Sequence, residues 1–167
     1  MKNNDLYGNI NSGEILSEME EFIDKFKSVI IGTVSIDGGV DLTYAPYLKL
    51  DGENYIYISE IGDHFSNLKN KEQIFEIMFL EDESECVSPV VRKRVRFNVN
   101  AEFLPRDEEF EKVLDSFEEK VGKHMKITRN MKDFHLVKLN ILNGRFVKGF
   151  GKAYKIQNDG EGFKWKK

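Results

Sequence analysis

The residue pattern implies a mainly-β chain, an antiparallel sheet closed into a barrel with two amphipathic helices packed on it. Three observations carry this reading. Six or seven short runs rich in β-branched and aromatic residues follow one another between residues 28 and 156. Turn sequences separate several of them: Asp37-Gly38-Gly39, Asp51-Gly52 and Asn143-Gly144. Only two stretches, around 13–26 and 107–121, repeat their apolar residues at helical spacing. Many short strands favour closure, because a closed barrel leaves few exposed edges.

The elements are expected in the following order. Residues 1–12 are polar and form a flexible tail. The barrel domain covers 13–157, and a second tail covers 158–167, where the frayed end Gly162-Phe163-Lys164-Trp165 is basic and aromatic. Ser12 and Gly13 open a helix whose stripe is Ile15, Leu16, Met19, Phe22, Ile23 and Phe26. Strands follow at 28–35, 40–50 and 54–60. Pro46 places the second at an edge or on a bulge. In the third, Tyr55, Tyr57 and Ser59 share one face, and Ile56 and Ile58 the other. Asp63 caps a short helix over 64–71. A fourth strand covers 73–81, and an acidic loop follows, ending in Ser88-Pro89. The fifth strand, 91–104, stops at Pro105. Asp107 opens the second long helix, with Phe110, Val113, Leu114, Phe117 and Val121 on one stripe, and Gly122 ends it. After a connector, strand 134–142 turns at Asn143-Gly144 into a last strand, 145–156.

A chain of 167 residues fits one domain. Thirteen Phe and six Tyr supply rings for sheet packing or for holding a flat ligand. The formal net charge of -4 argues against a dedicated nucleic-acid binder. Cys86 is the single cysteine, which excludes an internal disulfide and suits a reducing compartment. The first eleven residues lack the apolar run of a signal peptide, and no run approaches the ~18 apolar residues of a membrane span. A cytoplasmic location with no membrane partner is therefore expected.

The most informative stretch is Arg92-Lys93-Arg94-Val95-Arg96-Phe97. Strand alternation puts Arg92, Arg94 and Arg96 on one face and Val95, Phe97, Val99, Ala101 and Phe103 on the core face. Three like charges on one face need a counter-charge. Either the acidic loop at 81–85 supplies it, or an anionic ligand does, since guanidinium forks match carboxylates and phosphates. His64 stands at the start of a short helix, where it is a solvated surface residue, a donor to an anion or a metal ligand. His135 shares a face with Val137, Leu139 and Ile141 and reads as a half-buried structural residue. His124 lies in a connector. No zinc-ligand spacing and no P-loop occur, and Gly149-Phe150-Gly151 lacks the spacing of a dinucleotide fingerprint.

Several segments, taken in order, resemble a known family. They are Tyr57-Ile58-Ser59-Glu60, His64 with Asn67-Leu68, Glu81-Asp82-Glu83, Val91-Arg92-Lys93-Arg94-Val95, and Gly144-Arg145-Phe146-Val147 through Gly149-Phe150-Gly151-Lys152-Ala153. Together they resemble the FMN-binding split-barrel superfamily of pyridoxamine-phosphate-oxidase-like proteins, and within it the haem-iron-utilisation (HugZ-type) branch. The resemblance implies a six-stranded split barrel, a homodimer, and a planar anionic cofactor between subunits. That cofactor is haem or FMN. With haem, the protein binds it and can degrade it oxidatively to release iron. With FMN, it is an oxidoreductase; a non-catalytic flavin or tetrapyrrole carrier is the remaining alternative. The implied site is Arg92, Lys93, Arg94 and Arg145 with Ser59, His64 and Asn67, flanked by the rings of Tyr44, Tyr57 and Phe150. Two departures stand out. FMN-binding relatives commonly carry an Arg-Lys pair after the third strand, where this chain has Asp63-His64-Phe65. HugZ-type haem degraders carry an axial histidine in a C-terminal loop, and here no His follows His135.

Overall fold

Turn chemistry and alternation produce a meander first. Strand β1 (Ser28–Val34) pairs antiparallel with β2 (Val40–Leu50), and β2 pairs with β3 (Glu53–Ser59). Asp51 and Gly52 both take positive φ in the second turn, as a tight hairpin demands. Pro46, which lacks an N–H, stands where β2 leaves its partner Ser28 and passes to β3 at Tyr47. Further along come β4 (Phe75–Leu80), β5 (Arg94–Phe103), β6 (Phe134–Gly149), β7 (Lys152–Asn158) and β8 (Phe163–Lys166). The sheet order is β3-β2-β1-β4-β5-β6-β7-β8, and β3 also pairs with β6. That last pairing, from Tyr55 opposite Lys138 to Ser59 opposite Phe134, closes β1–β6 into a six-stranded antiparallel barrel. The second half of β6 runs on beyond the closure and carries β7 and β8 as an arm.

This computed structural model describes residues 12–70, 73–158 and 163–166. The tail expected over 1–12 lies outside the described residues except for Ser12, which begins helix α1 (Ser12–Asp24). Of the tail expected over 158–167, residues 159–162 and 167 lie outside them. The segment expected to fray carries strand β8, paired with β7.

The barrel interior holds the main core. Val95, Phe97 and Val99 of β5 are fully buried there with Ile56, Phe79, Phe146 and Ile156. Helix α1 lays Ile15, Met19, Phe22 and Ile23 against this core. Burying a Phe or Ile side chain contributes roughly 1.5–3 kcal/mol, so the α1 stripe is what holds the helix to the barrel. A second core lies outside the barrel. Helix α3 (Glu108–Val121) packs Phe110, Val113, Leu114 and Phe117 on Leu48, Tyr55, Tyr57 and Leu136. Asp107 caps α3 by accepting the Phe110 N–H at 3.0 Å, and Gly122 ends it at φ 114°. No helix among the described residues is long and apolar enough to cross a membrane.

Further expectations differ from the structure. The hairpin expected at Asn143-Gly144 is absent, because β6 runs straight through both residues. A Cβ on Gly144 would stand 2.3 Å from the Arg96 carbonyl oxygen and 2.4 Å from the Phe97 ring. This glycine therefore serves close approach of β6 to β5, not a turn. The turn lies at Phe150-Gly151, where Gly151 takes φ +70°. The fifth strand starts at Arg94, not at residue 91, because Pro89–Val91 forms a 3-10 turn. The connector after Gly122 contains a short helix, α4 (Met125–Arg129). Asp63 opens helix α2 (Asp63–Leu68) as its first residue and makes no capping bond; Gly62 is the N-cap.

Candidate functional site

The outer face of the barrel carries one row of residues that crosses six strands. Tyr44 of β2 stands opposite Ile30 of β1, and Ile30 opposite Met78 of β4. Met78 stands opposite Arg96 of β5, Arg96 opposite Arg145 of β6, and Arg145 opposite Lys155 of β7. With strands about 4.8 Å apart, the row turns from apolar to basic within roughly 25 Å. Alternation puts Arg94 on the same face, one pleat further along β5 from Arg96.

A groove of about 640 Å3 opens over the basic half of this face. Arg94, Arg96, Arg145 and Lys152 supply its charge; Met78, Val90 and Phe150 supply apolar surface. Phe150 stands at the tip of the β6–β7 turn and is 83% exposed. Such an exposed ring beside unpaired cations suits a flat ligand with an acidic edge.

The counter-charges within the Arg92–Arg96 stretch are specific. Arg92 donates through Nε to the Glu81 carbonyl, and its Nη1 lies 3.9 Å from a Glu83 carboxylate oxygen. Lys93 donates to Glu18 of α1 at 3.0 Å, and its backbone N–H donates to the Glu81 carboxylate at 2.8 Å. Lys148 donates to the other Glu18 oxygen. Burial pushes the Glu18 carboxyl up, but the hydrogen bonds from Lys148 and Lys93 outweigh it and hold the group below its usual range. Arg96 pairs with Glu76 at 3.0 Å. Arg94 differs: its Nη1 donates to the Arg92 carbonyl at 3.0 Å, and it has no carboxylate partner among the described residues. The same holds for Arg145 and Lys152. The acidic loop thus takes Arg92, and Arg94 is left facing the groove.

The structure brings Arg94, Arg145 and Phe150 of the expected set together at the groove, with Tyr44 on the same outer face, 71% exposed. Arg92 and Lys93 are adjacent but engaged by acids. The other four lie elsewhere and are internally bonded or enclosed. Tyr57 is in the α3 core and donates to the Thr128 carbonyl at 3.0 Å. Ser59 donates to Asp133 at 3.0 Å. Asn67 donates to Thr33 at 2.9 Å and Asp41 at 2.7 Å, tying α2 to the first hairpin. His64 is buried against Gly62, and its Nε2 has no hydrogen-bond partner among the described residues. Burial lowers its pKa, with Asp63 pulling the other way. His135 is half-buried and sits 2.7 Å from the Glu60 carboxylate.

Met78, Val90, Lys152 and Lys155 were not expected at the site. The signal for the two lysines is the β6–β7 turn. With the turn at Phe150-Gly151, register alone places Lys155 opposite Arg145 and Lys152 opposite Gly149.

Comparisons with known proteins agree with this architecture. Residues 15–148 match the family described as pyridoxamine 5'-phosphate oxidase. Over 148 residues the chain is 33% identical to heme oxygenase HutZ of Vibrio cholerae, covering 88% of this chain and 84% of that protein. The crystal structure of ChuZ from Campylobacter jejuni is 47% identical with a TM-score of 0.85; the match covers 90% of this chain and 62% of that one. The present chain therefore spans less than two thirds of ChuZ. The crystal structure of HutZ, described as the heme storage protein from Vibrio cholerae, is 31% identical with a TM-score of 0.72, covering 79% of this chain and 93% of that one. On the family match and the closed six-stranded barrel, the chain belongs to the pyridoxamine 5'-phosphate oxidase family of split barrels and is similar within it to HutZ and ChuZ.

Proposed function

We propose that this protein binds haem in the outer-face groove and works as a homodimer whose second copy covers the apolar half of the same face. The observation that carries the reading is Arg94. It lines a groove with Arg145 and Lys152, has no carboxylate partner among the described residues, and adjoins apolar surface from Met78, Val90 and Phe150. The guanidinium and ammonium groups would hold the propionates at the basic end. Met78, Val90 and Phe150 would offer the ring an apolar wall and exclude water from it. The bound tetrapyrrole would supply the iron and its redox chemistry. The names of the relatives, a heme oxygenase and a heme storage protein, support the same ligand. The three histidines lie away from the groove, so the role of the groove is to hold the acid edge and the ring.

The second copy is suggested by Val40, Leu42 and Tyr44, which are 80%, 75% and 71% exposed on the outer side of β2. A contiguous apolar strand face of this kind marks an interaction surface. Symmetric pairing is the commonest way to cover one.

FMN is the second reading, favoured by the family match. Its phosphate would fit the same cations. The position after β3, where FMN-binding relatives carry Arg-Lys, presents an exposed Asp63 carboxylate and a buried His64.

The test is titration of haemin and of FMN into wild type and Arg94→Ala, with circular dichroism as the control for folding. Charge-assisted bonds of roughly 1.5–3 kcal/mol predict a loss of about tenfold to a hundredfold in haemin affinity. A folded variant that binds both ligands like wild type overturns the reading. Adding a reductant to the haemin complex in air separates two outcomes. Bleaching of the Soret band, with iron passing to a chelator, extends the function to oxidative degradation; a stable band confines it to binding.

A further inference from the structure

A second, smaller hollow of about 230 Å3 opens on the same face, on the far side of the Arg96–Arg145 pair from the groove. Seven of its nine lining residues are polar or charged, the other two being Gly144 and Ile156. Arg96, Arg145 and Lys155 stand in one row on three neighbouring strands. Like charges directly opposite each other destabilise a sheet, so such a row is held at a cost unless an anion sits among it. Glu76 is the carboxylate in the hollow, and it is paired with Arg96 at 3.0 Å. Arg145 and Lys155 have no acidic partner among the described residues. Amides complete the lining. Asn98 donates to the Asn143 side-chain oxygen at 2.7 Å, which fixes the Asn143 amide and leaves its N–H groups available. Gln157 follows, opposite Asn143 on β7. Gly144 adds backbone to the lining, its side-chain direction being turned inward towards the Phe97 ring.

We propose that this hollow is an oxyanion subsite, taking a carboxylate or phosphate group between Arg145 and Lys155 with the Asn143 amide as a further donor. A fork, an ammonium and an oriented amide are a donor set that suits a tetrahedral or planar oxyanion. Two sources supply such a group. One is a free small anion. The other is a second acid group of the ligand in the groove, since Arg145 lines both hollows. Only the second source rests on the haem reading.

The experiment titrates inorganic phosphate into 15N-labelled protein and follows the side-chain amide signals of Asn98, Asn143 and Gln157, with chloride at equal ionic strength as the blank. Wild type is compared with Lys155→Met, which changes only the polar hollow, and Lys152→Met, which changes only the groove. Saturable shifts are expected, weakened about fivefold or more in Lys155→Met, the loss of one partly screened ionic bond, and unchanged in Lys152→Met. Haemin titrated into the same variants then separates the sources. Loss of haemin affinity in Lys155→Met assigns the subsite to the second acid group of the groove ligand, and unchanged affinity assigns it to a free anion. Absence of saturable phosphate shifts, or equal phosphate affinity in wild type and Lys155→Met, overturns the proposal. A protein that takes phosphate here but no haemin anywhere refutes the haem reading and leaves the subsite standing.

Discussion

The helix-covered side of the barrel and its bare side treat their arginines in opposite ways. Under α3 and α4, Arg129 reaches Asp115 at 2.6 Å, Glu111 at 2.5 Å and Glu118 at 3.9 Å. Arg106 donates to the carbonyls of Arg129, Met131 and Phe134 at 3.0, 2.6 and 2.9 Å, and its guanidinium lies 4.6 Å from the Phe110 ring centre. These two arginines tie the 122–134 connector to α3. On the bare side, Arg94, Arg145, Lys152 and Lys155 border hollows and have no carboxylate partner among the described residues, and Val40, Leu42 and Tyr44 lie open on the same face. An arginine matched on all its donors acts as a strut. One left unmatched at the rim of a hollow retains bonding capacity for a ligand. Charge density in the sequence does not separate the two kinds, since Arg92 and Arg94 stand two residues apart and fall on opposite sides of the distinction.

The largest test of the comparison addresses the apolar half of the bare side. Leu42→Asp should weaken self-association by a hundredfold or more, because an unpaired carboxylate taken into an interface costs about 3 kcal/mol or more. Sedimentation at micromolar concentration reads it; a variant as dimeric as wild type shows that this face is not the contact. Next is Gly144→Ala, which forces a methyl group towards the Arg96 carbonyl, 2.3 Å away. The expected loss is about 1–3 kcal/mol of stability, the range for overpacking, with both hollows disturbed. An unchanged urea midpoint would mean that β6 and β5 have room at their closest approach. Arg129→Ala should cost about 1–2 kcal/mol of stability while leaving haemin affinity of the folded fraction unchanged. Arg94→Ala should do the reverse, holding stability within about 0.5 kcal/mol while losing the ligand. If each variant loses both, the division into strut and ligand arginines fails.

Local periodicity made much of the fold legible. The alternation that placed Val95, Phe97 and Val99 inward and Arg94 and Arg96 outward is a property of one strand, and the structure has it so. The same holds for Tyr55 and Tyr57 facing away from Ile56 and Ile58, though nothing local says that α3 covers the tyrosines. The stripes of α1 and α3 were equally plain. What escaped depends on neighbours distant in sequence. Asn143-Gly144 has the chemistry of a hairpin turn, but the space beside Gly144 is set by β5, and that decides for a straight strand. Once the turn is misplaced by seven residues, the register that brings Lys155 beside Arg145 is lost. Helix α4 has only Met125 buried, too little apolar signal to announce a helix. The fates of Tyr57, Ser59 and Asn67 depend on Thr128, Asp133 and Thr33, partners that are at least 34 residues away in the chain.

His64 belongs to neither kind of polar group, being enclosed like a strut but carrying an unpaired Nε2. This gives the smallest of the expected effects, visible in the pH dependence of stability. Burial lowers its pKa from the ordinary value of 6.5, and Asp63 offsets part of that. At pH 7.5 the ring is mostly neutral in both folded and unfolded chains, and the shift costs little. As pH falls through 6.5 the unfolded chain takes up a proton that the folded chain resists, so acid favours unfolding. The loss grows until the pH passes below the folded pKa, where both states are protonated and the difference becomes constant. His64→Gln removes this titration while His124 and His135 remain, so the comparison isolates one ring. Urea unfolding at pH 7.5 and 5.5 should show a smaller drop for the variant than for wild type. The absolute stability of the variant is not the readout, because Gln differs from His in shape within a tight site against Gly62. Equal drops in the two proteins would place the acid sensitivity elsewhere and would mean that the unpaired Nε2 finds a partner for its proton in the folded chain.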